Sequence, residues 1–243
     1  MLRSTLAALA LGRGTVLTSA QLVDQLWGLT PPVTAGATLR NYIRRLRQAL
    51  PAPLIETGSG GYTFTAHSDQ VDVERFQQLL QCSRSLRDES PVEATALLGS
   101  ALGLWHGTPL TGVGDGPLLA MERARLEDLY VTAVEEHFDL MLGLGRHEVV
   151  VDEIMACTRV HYHRERLVRQ LMIALYRCGR AADALAAYRS TRERMVEELG
   201  IEPGVMLREA EQSILRSDPA LLGPLGVTTR SRRLTPCSLR ATG

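Results

Sequence analysis

Several common signatures are missing from this 243-residue chain. It contains no lysine, so all 27 basic residues are arginine. Its four cysteines form no CxxC pair, which gives no indication of a disulfide framework and fits a reducing cytoplasm. No apolar run approaches the roughly 18 residues of a membrane span, and neither GxxxxGK[ST] nor GxSxG occurs. We therefore expect no membrane segment, no ATP hydrolysis and no serine hydrolase.

Charge is distributed unevenly, although the formal net charge is zero. Residues 1–70 carry six arginines against three acids, and residues 71–215 carry 16 against 23. A basic N-terminal part suits contact with a polyanion, and an acidic body suits contact with protein.

The most informative stretch is ATLRNYIRRLRQAL, residues 37–50. At about 100° per residue, a helix here places one narrow apolar stripe against a polar face. The stripe contains Leu39, Ile43, Leu46 and Leu50, and the polar residues are Arg40, Asn41, Arg44, Arg45, Arg47 and Gln48. Such a face can bind base edges and phosphates in the major groove of DNA, but a solvated cationic face is the alternative.

The surrounding elements favour the DNA interpretation. Two short helices are predicted before this one, over residues 2–11 and 20–27, and the third begins near Thr34. A hairpin follows, with strands at 54–57 and 62–65 around the glycine-rich turn GSGG. This order is typical of a helix-turn-helix with a wing.

Residues 71–215 have helical periodicity almost throughout. LGLGRHEVVVDEI, residues 142–154, matches YRCGRAADALAAY, residues 176–188, at an offset of 34 residues. That offset is the tetratricopeptide period, so we predict stacked helix pairs that bind protein or pair with themselves.

Three long runs resemble the Streptomyces antibiotic regulatory protein (SARP) family of transcriptional activators. They are LVDQLWGLTPPVTAGATLRNYIRRLRQAL with the hairpin ending GGYTF, then VDVERFQQLL, then HRERLVRQLMIALYRCGRAADALAAYRSTRERMVEELGIEPGVMLREAEQSIL. The resemblance implies a mainly α fold, with an OmpR-type winged helix-turn-helix at 1–70. It further implies a tetratricopeptide-like bacterial transcriptional activator domain at 71–216, followed by a disordered tail or truncated linker at 217–243.

The resemblance also implies a function. Members of the family bind direct repeats in double-stranded promoter DNA, dimerise and contact RNA polymerase, commonly at secondary-metabolite genes. We therefore expect a cytoplasmic, sequence-specific activator that acts as a homodimer on DNA. The alternative is a protein-interaction or dimerisation module whose DNA-binding half does not function.

The sequence departs from the family pattern at two places that bear on DNA binding. Family members usually begin with a small antiparallel sheet, whereas here the first helix starts at residue 2, so Leu6 and Leu9 are expected to lack a covering partner. Many relatives carry an arginine just before the glycine-rich turn, whereas Thr57 and Ser59 occupy that stretch here.

We assign base-edge roles to Asn41, Arg44 and Gln48, and phosphate roles to Arg40, Arg45 and Arg47. Further DNA contacts are expected from Ser19, Thr57 and Tyr62, although Thr18 or Ser19 could equally serve as a helix cap. Trp27 is interpreted as a core anchor.

A metal site and a catalytic site are not expected. Cys157, His161 and His163 have the spacing C-x3-H-x-H but lack a fourth ligand for tetrahedral zinc. His147–Glu148 begins like HExxH, but Val151 stands where the second histidine is required. We expect no cofactor and no enzymatic activity.

Overall fold

The computed structural model describes residues 1–51, 53–67, 70–114 and 116–223, and these are mainly helical. The ten α-helices found there are α1 Leu2–Leu11, α2 Ser19–Trp27, α3 Ala35–Ala49, α4 Asp72–Leu86, α5 Pro91–Leu102, α6 Pro117–Gly143, α7 His147–Val160, α8 Glu165–Arg177, α9 Ala181–Arg194 and α10 Val205–Leu215. The three strands are β1 Leu17–Thr18, β2 Ile55–Gly58 and β3 Gly61–Phe64. None of the described helices is long and apolar enough to cross a membrane.

Packing divides the chain into two compact units, which are described separately. The first contains Met1–Gln78 and Ala101–Val131, and the second contains Leu79–Ser100 and the described residues from Thr132 onward. In the first unit, α1, α2 and α3 pack around one apolar core with the hairpin. The buried residues of that core are Ala8, Leu9, Leu22, Leu26, Leu39, Ile43, Leu46, Ile55, Phe64 and Ala66.

The start of α2 is set by a capping box. The Thr18 hydroxyl accepts a hydrogen bond from the Gln21 amide at 3.2 Å, and the Gln21 side chain accepts one from the Thr18 amide at 2.9 Å. Of the two candidate caps, Thr18 is therefore the one used, and Ser19 is the first helical residue.

The hairpin belongs to a three-stranded antiparallel sheet with the order β1-β3-β2. Thr57 pairs with Tyr62 across the hairpin, and Tyr62 in turn pairs with Leu17 of β1. Gly61 pairs with Thr18 so closely that a Cβ at Gly61 would lie 2.2 Å from the Leu17 carbonyl oxygen. The hairpin predicted from the sequence is confirmed, and β1 is an additional strand.

The first helix is covered, contrary to the expectation for a chain with no strand before α1. Leu9 is buried and Leu6 packs against the core. Ser4 is also buried, and its hydroxyl accepts a hydrogen bond from the Gly114 amide at 2.9 Å. The segment between α5 and α6 therefore contributes to covering α1, although it is distant in sequence.

In the second unit, two turns lie at the positions that the sequence offset of 34 residues pairs. Gly145 and Gly179, which are 34 residues apart, both have left-handed backbones, with φ of 74° and 75°. In each turn the residue after glycine donates its amide to a carbonyl five residues back, at 2.9 Å in both cases: Arg146 to Met141 and Arg180 to Leu175. The two turns thus share one geometry, and the mainly helical fold class is confirmed.

The segment after α10 was predicted to be a disordered tail or a truncated linker. Pro219–Leu222 forms a 3₁₀ turn. Arg177, at the end of α8, donates hydrogen bonds to the carbonyls of Leu221 at 2.7 Å, of Leu142 at 2.6 Å and of Gly223. Disorder therefore does not describe residues 217–223, while the truncated linker stays a prediction. Residues 224–243 lie outside the described residues.

Candidate nucleic-acid interface

The two faces of α3 are arranged as the sequence predicts. Leu39, Ile43 and Leu46 are buried, and Leu50 is half-buried just after the helix. All six polar residues that were singled out are exposed: Arg40, Asn41, Arg44, Arg45, Arg47 and Gln48. The apolar stripe of the helix therefore packs into the core. The opposite, polar face contains four arginines and no acid, and it is open to a partner.

A groove of about 380 Å³ separates part of this face from the hairpin. Arg40, Arg44, Arg47 and Gln48 line the helix side, and Thr57 and Tyr62 line the hairpin side. Asn41 and Arg45 are exposed on the helix outside the groove. The structure thus brings together six of the nine residues predicted to bind DNA.

Asn41 and Arg44 are joined to each other. Nη2 of Arg44 donates a hydrogen bond to Oδ1 of Asn41 at 3.0 Å. This bond leaves the Asn41 amide nitrogen and most of the guanidinium N–H groups available. It therefore fixes the orientation of two exposed side chains without using up their hydrogen-bonding capacity.

Arg47 differs from the other arginines of α3 because it binds the hairpin. Its Nε donates to the Ile55 carbonyl at 3.0 Å, and its Nη2 donates to the Thr57 hydroxyl at 2.7 Å. Arg47 was predicted to contact a phosphate, and no sequence pattern indicates this contact with residues eight and ten positions away.

Ser19 is exposed in the first turn of α2 and does not line the groove. Trp27 is half-buried at the end of the same helix and packs against the core. Its ring stacks on Tyr42 of α3, with centroids 6.4 Å apart and an interplanar angle of 14°. Tyr42 was not singled out from the sequence, although it lies between the two faces of α3.

The turn between α2 and α3 exposes two aliphatic side chains completely, those of Leu29 and Val33. They flank Pro31 and Pro32, which cannot donate backbone hydrogen bonds. This segment, LTPPV, connects α2 to α3. Its full exposure is visible only in the structure.

The residues considered for a metal do not form a site. No group of three or more His, Cys, Asp or Glu in the described residues could hold an ion. The pKa of the Cys157 thiol is raised by burial and, further, by the nearby Glu153 carboxylate. The thiol form is therefore favoured, which makes Cys157 a poorer metal ligand or nucleophile.

Comparison with known proteins agrees with this arrangement. Residues 3–64 match the family described as transcriptional regulatory protein, C terminal, and residues 71–215 match the bacterial transcriptional activator domain. The regulatory protein DnrI of Streptomyces peucetius is 35% identical over 90% of this chain and 85% of its own length. The chain is a SARP-family transcriptional regulator. Its named relatives are transcriptional regulators, a family that is not enzymatic.

Other SARP-type relatives are longer than this chain. The regulatory protein AfsR of Streptomyces coelicolor is 40% identical over 99% of the chain, which spans only 24% of AfsR. The solved structure of Mycobacterium tuberculosis EmbR, in complex with a low-affinity phosphopeptide, is 28% identical and has a TM-score of 0.83. That similarity covers 93% of this chain and 60% of EmbR.

Proposed function

We propose that this SARP-family chain is a sequence-specific activator that places α3 in the major groove of double-stranded promoter DNA. The observation that carries the proposal is the face of α3, where all six predicted polar residues are exposed opposite a buried stripe. A helix of this kind fits the width of the major groove and can reach base edges there.

We assign base readout to Asn41, Arg44 and Gln48, because their side chains can form paired hydrogen bonds with adenine or guanine. Arg40 and Arg45 are the phosphate contacts in this proposal. The bond between Arg44 and Asn41 favours it further, because it holds two base-reading side chains in register before DNA is bound.

The hairpin serves as the wing. Thr57 and Tyr62 face α3 across the groove, so a DNA strand that leaves the major groove on that side passes them. Ser19 supplies a hydroxyl at the helix α2 N-terminus, where backbone N–H groups favour a phosphate.

Activation requires a protein contact as well as a DNA contact. We assign direct-repeat binding as a homodimer to the whole chain, with residues 1–70 as the DNA-binding domain and 71–216 as the activator domain. Leu29 and Val33 support a contact with RNA polymerase, because fully exposed aliphatic side chains beside a DNA-binding helix are suited to a protein partner. In this proposal the chain activates transcription in the cytoplasm, commonly at secondary-metabolite genes.

The rival function is a protein-interaction or dimerisation module with an inactive DNA-binding half. Its main support is the absence of the small sheet that usually precedes the first helix in this family. No strand precedes α1 in the described residues, but Leu9 is buried and Ser4 is hydrogen-bonded to Gly114, so this absence does not leave α1 uncovered.

The test begins with selection of binding sites from a randomised duplex pool by the whole chain. Affinity for the selected site is then compared for the unaltered chain, Arg44→Ala and Arg189→Ala, which removes an exposed arginine of α9 as the control. Arg44→Ala should weaken binding by about 1–3 kcal/mol and relax the preference at one position. Arg189→Ala should leave both unchanged.

Salt dependence separates the proposal from its rival. Phosphate contacts release counterions, so affinity should fall steeply as salt rises. If no duplex is retained at low salt while the chain still self-associates, the protein-interaction module is the correct function. If binding persists but Arg44→Ala and Arg189→Ala behave alike, α3 does not read the sequence.

A further inference from the structure

Arg47 connects the end of α3 to the hairpin. It lies in the last turn of the helix, and its guanidinium makes two hydrogen bonds to β2. One acceptor is the carbonyl of Ile55, whose side chain is buried in the core, and the other is the hydroxyl of the exposed Thr57. A planar guanidinium that binds two acceptors fixes direction as well as distance.

The pairing of the strands extends this connection to the whole sheet. Thr57 pairs with Tyr62, and Tyr62 pairs with Leu17 of β1. Thr57 and Tyr62 also form the hairpin wall of the groove. The position of Arg47 therefore sets the width of the groove between α3 and the hairpin.

The hairpin cannot hold a phosphate by charge. Between residues 55 and 64 the sequence is IETGSGGYTF, whose only charged residue is Glu56. Only neutral donors, such as hydroxyl and backbone N–H groups, can meet a DNA strand there. Neutral donors depend on exact placement, because they lack the long-range attraction of a charge.

We propose that Arg47 is a positioning residue for DNA recognition: it holds the hairpin against α3 so that the groove exists before DNA arrives. Two of its five guanidinium N–H donors are engaged by β2, so we assign it the task of holding the hairpin rather than that of an independent phosphate anchor. This inference rests on the proposed DNA-binding function and assigns one of its residues a different task.

The test uses the full chain and two duplexes that carry the selected site, one long and one trimmed on the side that the hairpin faces. Thr57→Val removes the hydroxyl but keeps the branched shape, and Thr57→Ser keeps the hydroxyl. Thr63→Val is the matched control, because Thr63 lies on β3 opposite Glu56 and does not line the groove. Together with Thr57→Val, the single variant Arg47→Ala and the double variant Arg47→Ala/Thr57→Val complete a double-mutant cycle.

On the long duplex, Thr57→Val should bind about 3-fold to 10-fold more weakly, as expected for one lost hydrogen bond. Thr57→Ser and Thr63→Val should stay within about 2-fold of the unaltered chain. The double variant should bind no more than about 2-fold more weakly than Arg47→Ala, because both changes break one connection. These losses should disappear on the trimmed duplex.

The salt slope supplies a readout that a general loss of stability would not change. A phosphate contact by Arg47 would make the slope shallower by about 0.9 in Arg47→Ala. The positioning role predicts an unchanged slope, because Arg47 then neutralises no phosphate and the hairpin it holds adds no cation of its own. A shallower slope in Arg47→Ala would overturn the positioning role. The same holds if the loss of DNA affinity in the double variant equals the product of the two single-variant losses.

The proposed function can fail separately. If the unaltered chain binds no duplex, DNA binding itself is refuted, and the positioning role with it. A different result refutes only the positioning role. In that case the unaltered chain binds the duplex and Arg44→Ala weakens the binding, but Thr57→Val and Thr63→Val have equal affinity for the long duplex.

Discussion

Replacing Gly61 by alanine should detach β1 from the hairpin. A Cβ at this position would lie 2.2 Å from the Leu17 carbonyl oxygen and 2.7 Å from its carbon. Both are backbone atoms, so the strands must separate by on the order of 1 Å to restore ordinary contact. Overpacking of this kind costs about 2 kcal/mol in the free energy of unfolding.

Gly58→Ala is the matched control, since Gly58 pairs directly with Gly61 in the same hairpin. A Cβ at Gly58 would meet no atom within 4 Å. Alanine also restricts the unfolded chain, which stabilises a compatible site by about 0.4–1 kcal/mol. The two alanine variants should therefore differ by about 3 kcal/mol, with Gly58→Ala the more stable.

Tryptophan fluorescence during urea unfolding measures this difference. Both tryptophans of the chain, Trp27 and Trp105, belong to the first compact unit, so the signal reports on the unit that contains the hairpin. The midpoint of Gly61→Ala should fall by about 1 M urea. Equal midpoints for Gly61→Ala and Gly58→Ala would show that β1 does not constrain the hairpin.

Two further predictions concern other parts of the chain. Leu29→Ser combined with Val33→Ser should leave affinity for the selected duplex unchanged and lower transcription from a promoter carrying that site; unchanged transcription would remove the polymerase contact from this turn. Burial lowers the pKa of His137, and the Glu153 carboxylate opposes this shift. Folding therefore disfavours the charged form of His137. The free energy of unfolding should fall as the pH drops through about 6.5, the ordinary histidine value. In His137→Gln, the loss of urea stability between pH 7.5 and 5.5, followed by circular dichroism, should be smaller than in the unaltered chain; an equal loss would exclude His137 as the cause.

The elements that were predicted correctly depend on short-range pattern. The buried stripe of α3 follows directly from the helical repeat, so Leu39, Ile43 and Leu46 were placed without knowledge of their partners. The cap of α2 was predicted only as Thr18 or Ser19; in the structure it is Thr18, and Gln21 three positions later completes a capping box.

The features that were missed depend on distant contacts. β1 has only two residues, too few to show an alternating pattern, and its pairing requires the bare backbone of Gly61. Part of the cover of α1 comes from the segment at Gly114, which lies 110 residues after Ser4. No local pattern predicts that such segments will meet, and the contact of Arg47 with Thr57 depends in the same way on where the hairpin folds back.

The bond from Arg47 to Ile55 also bears on solubility. β2 is an edge strand, with no further strand beside it in the described part of the chain. Unpaired carbonyls along an edge are a template on which a strand from another molecule can align. Arg47 occupies the Ile55 carbonyl with a charged group that cannot continue a ladder, so at this carbonyl the edge offers no acceptor to a strand from another molecule.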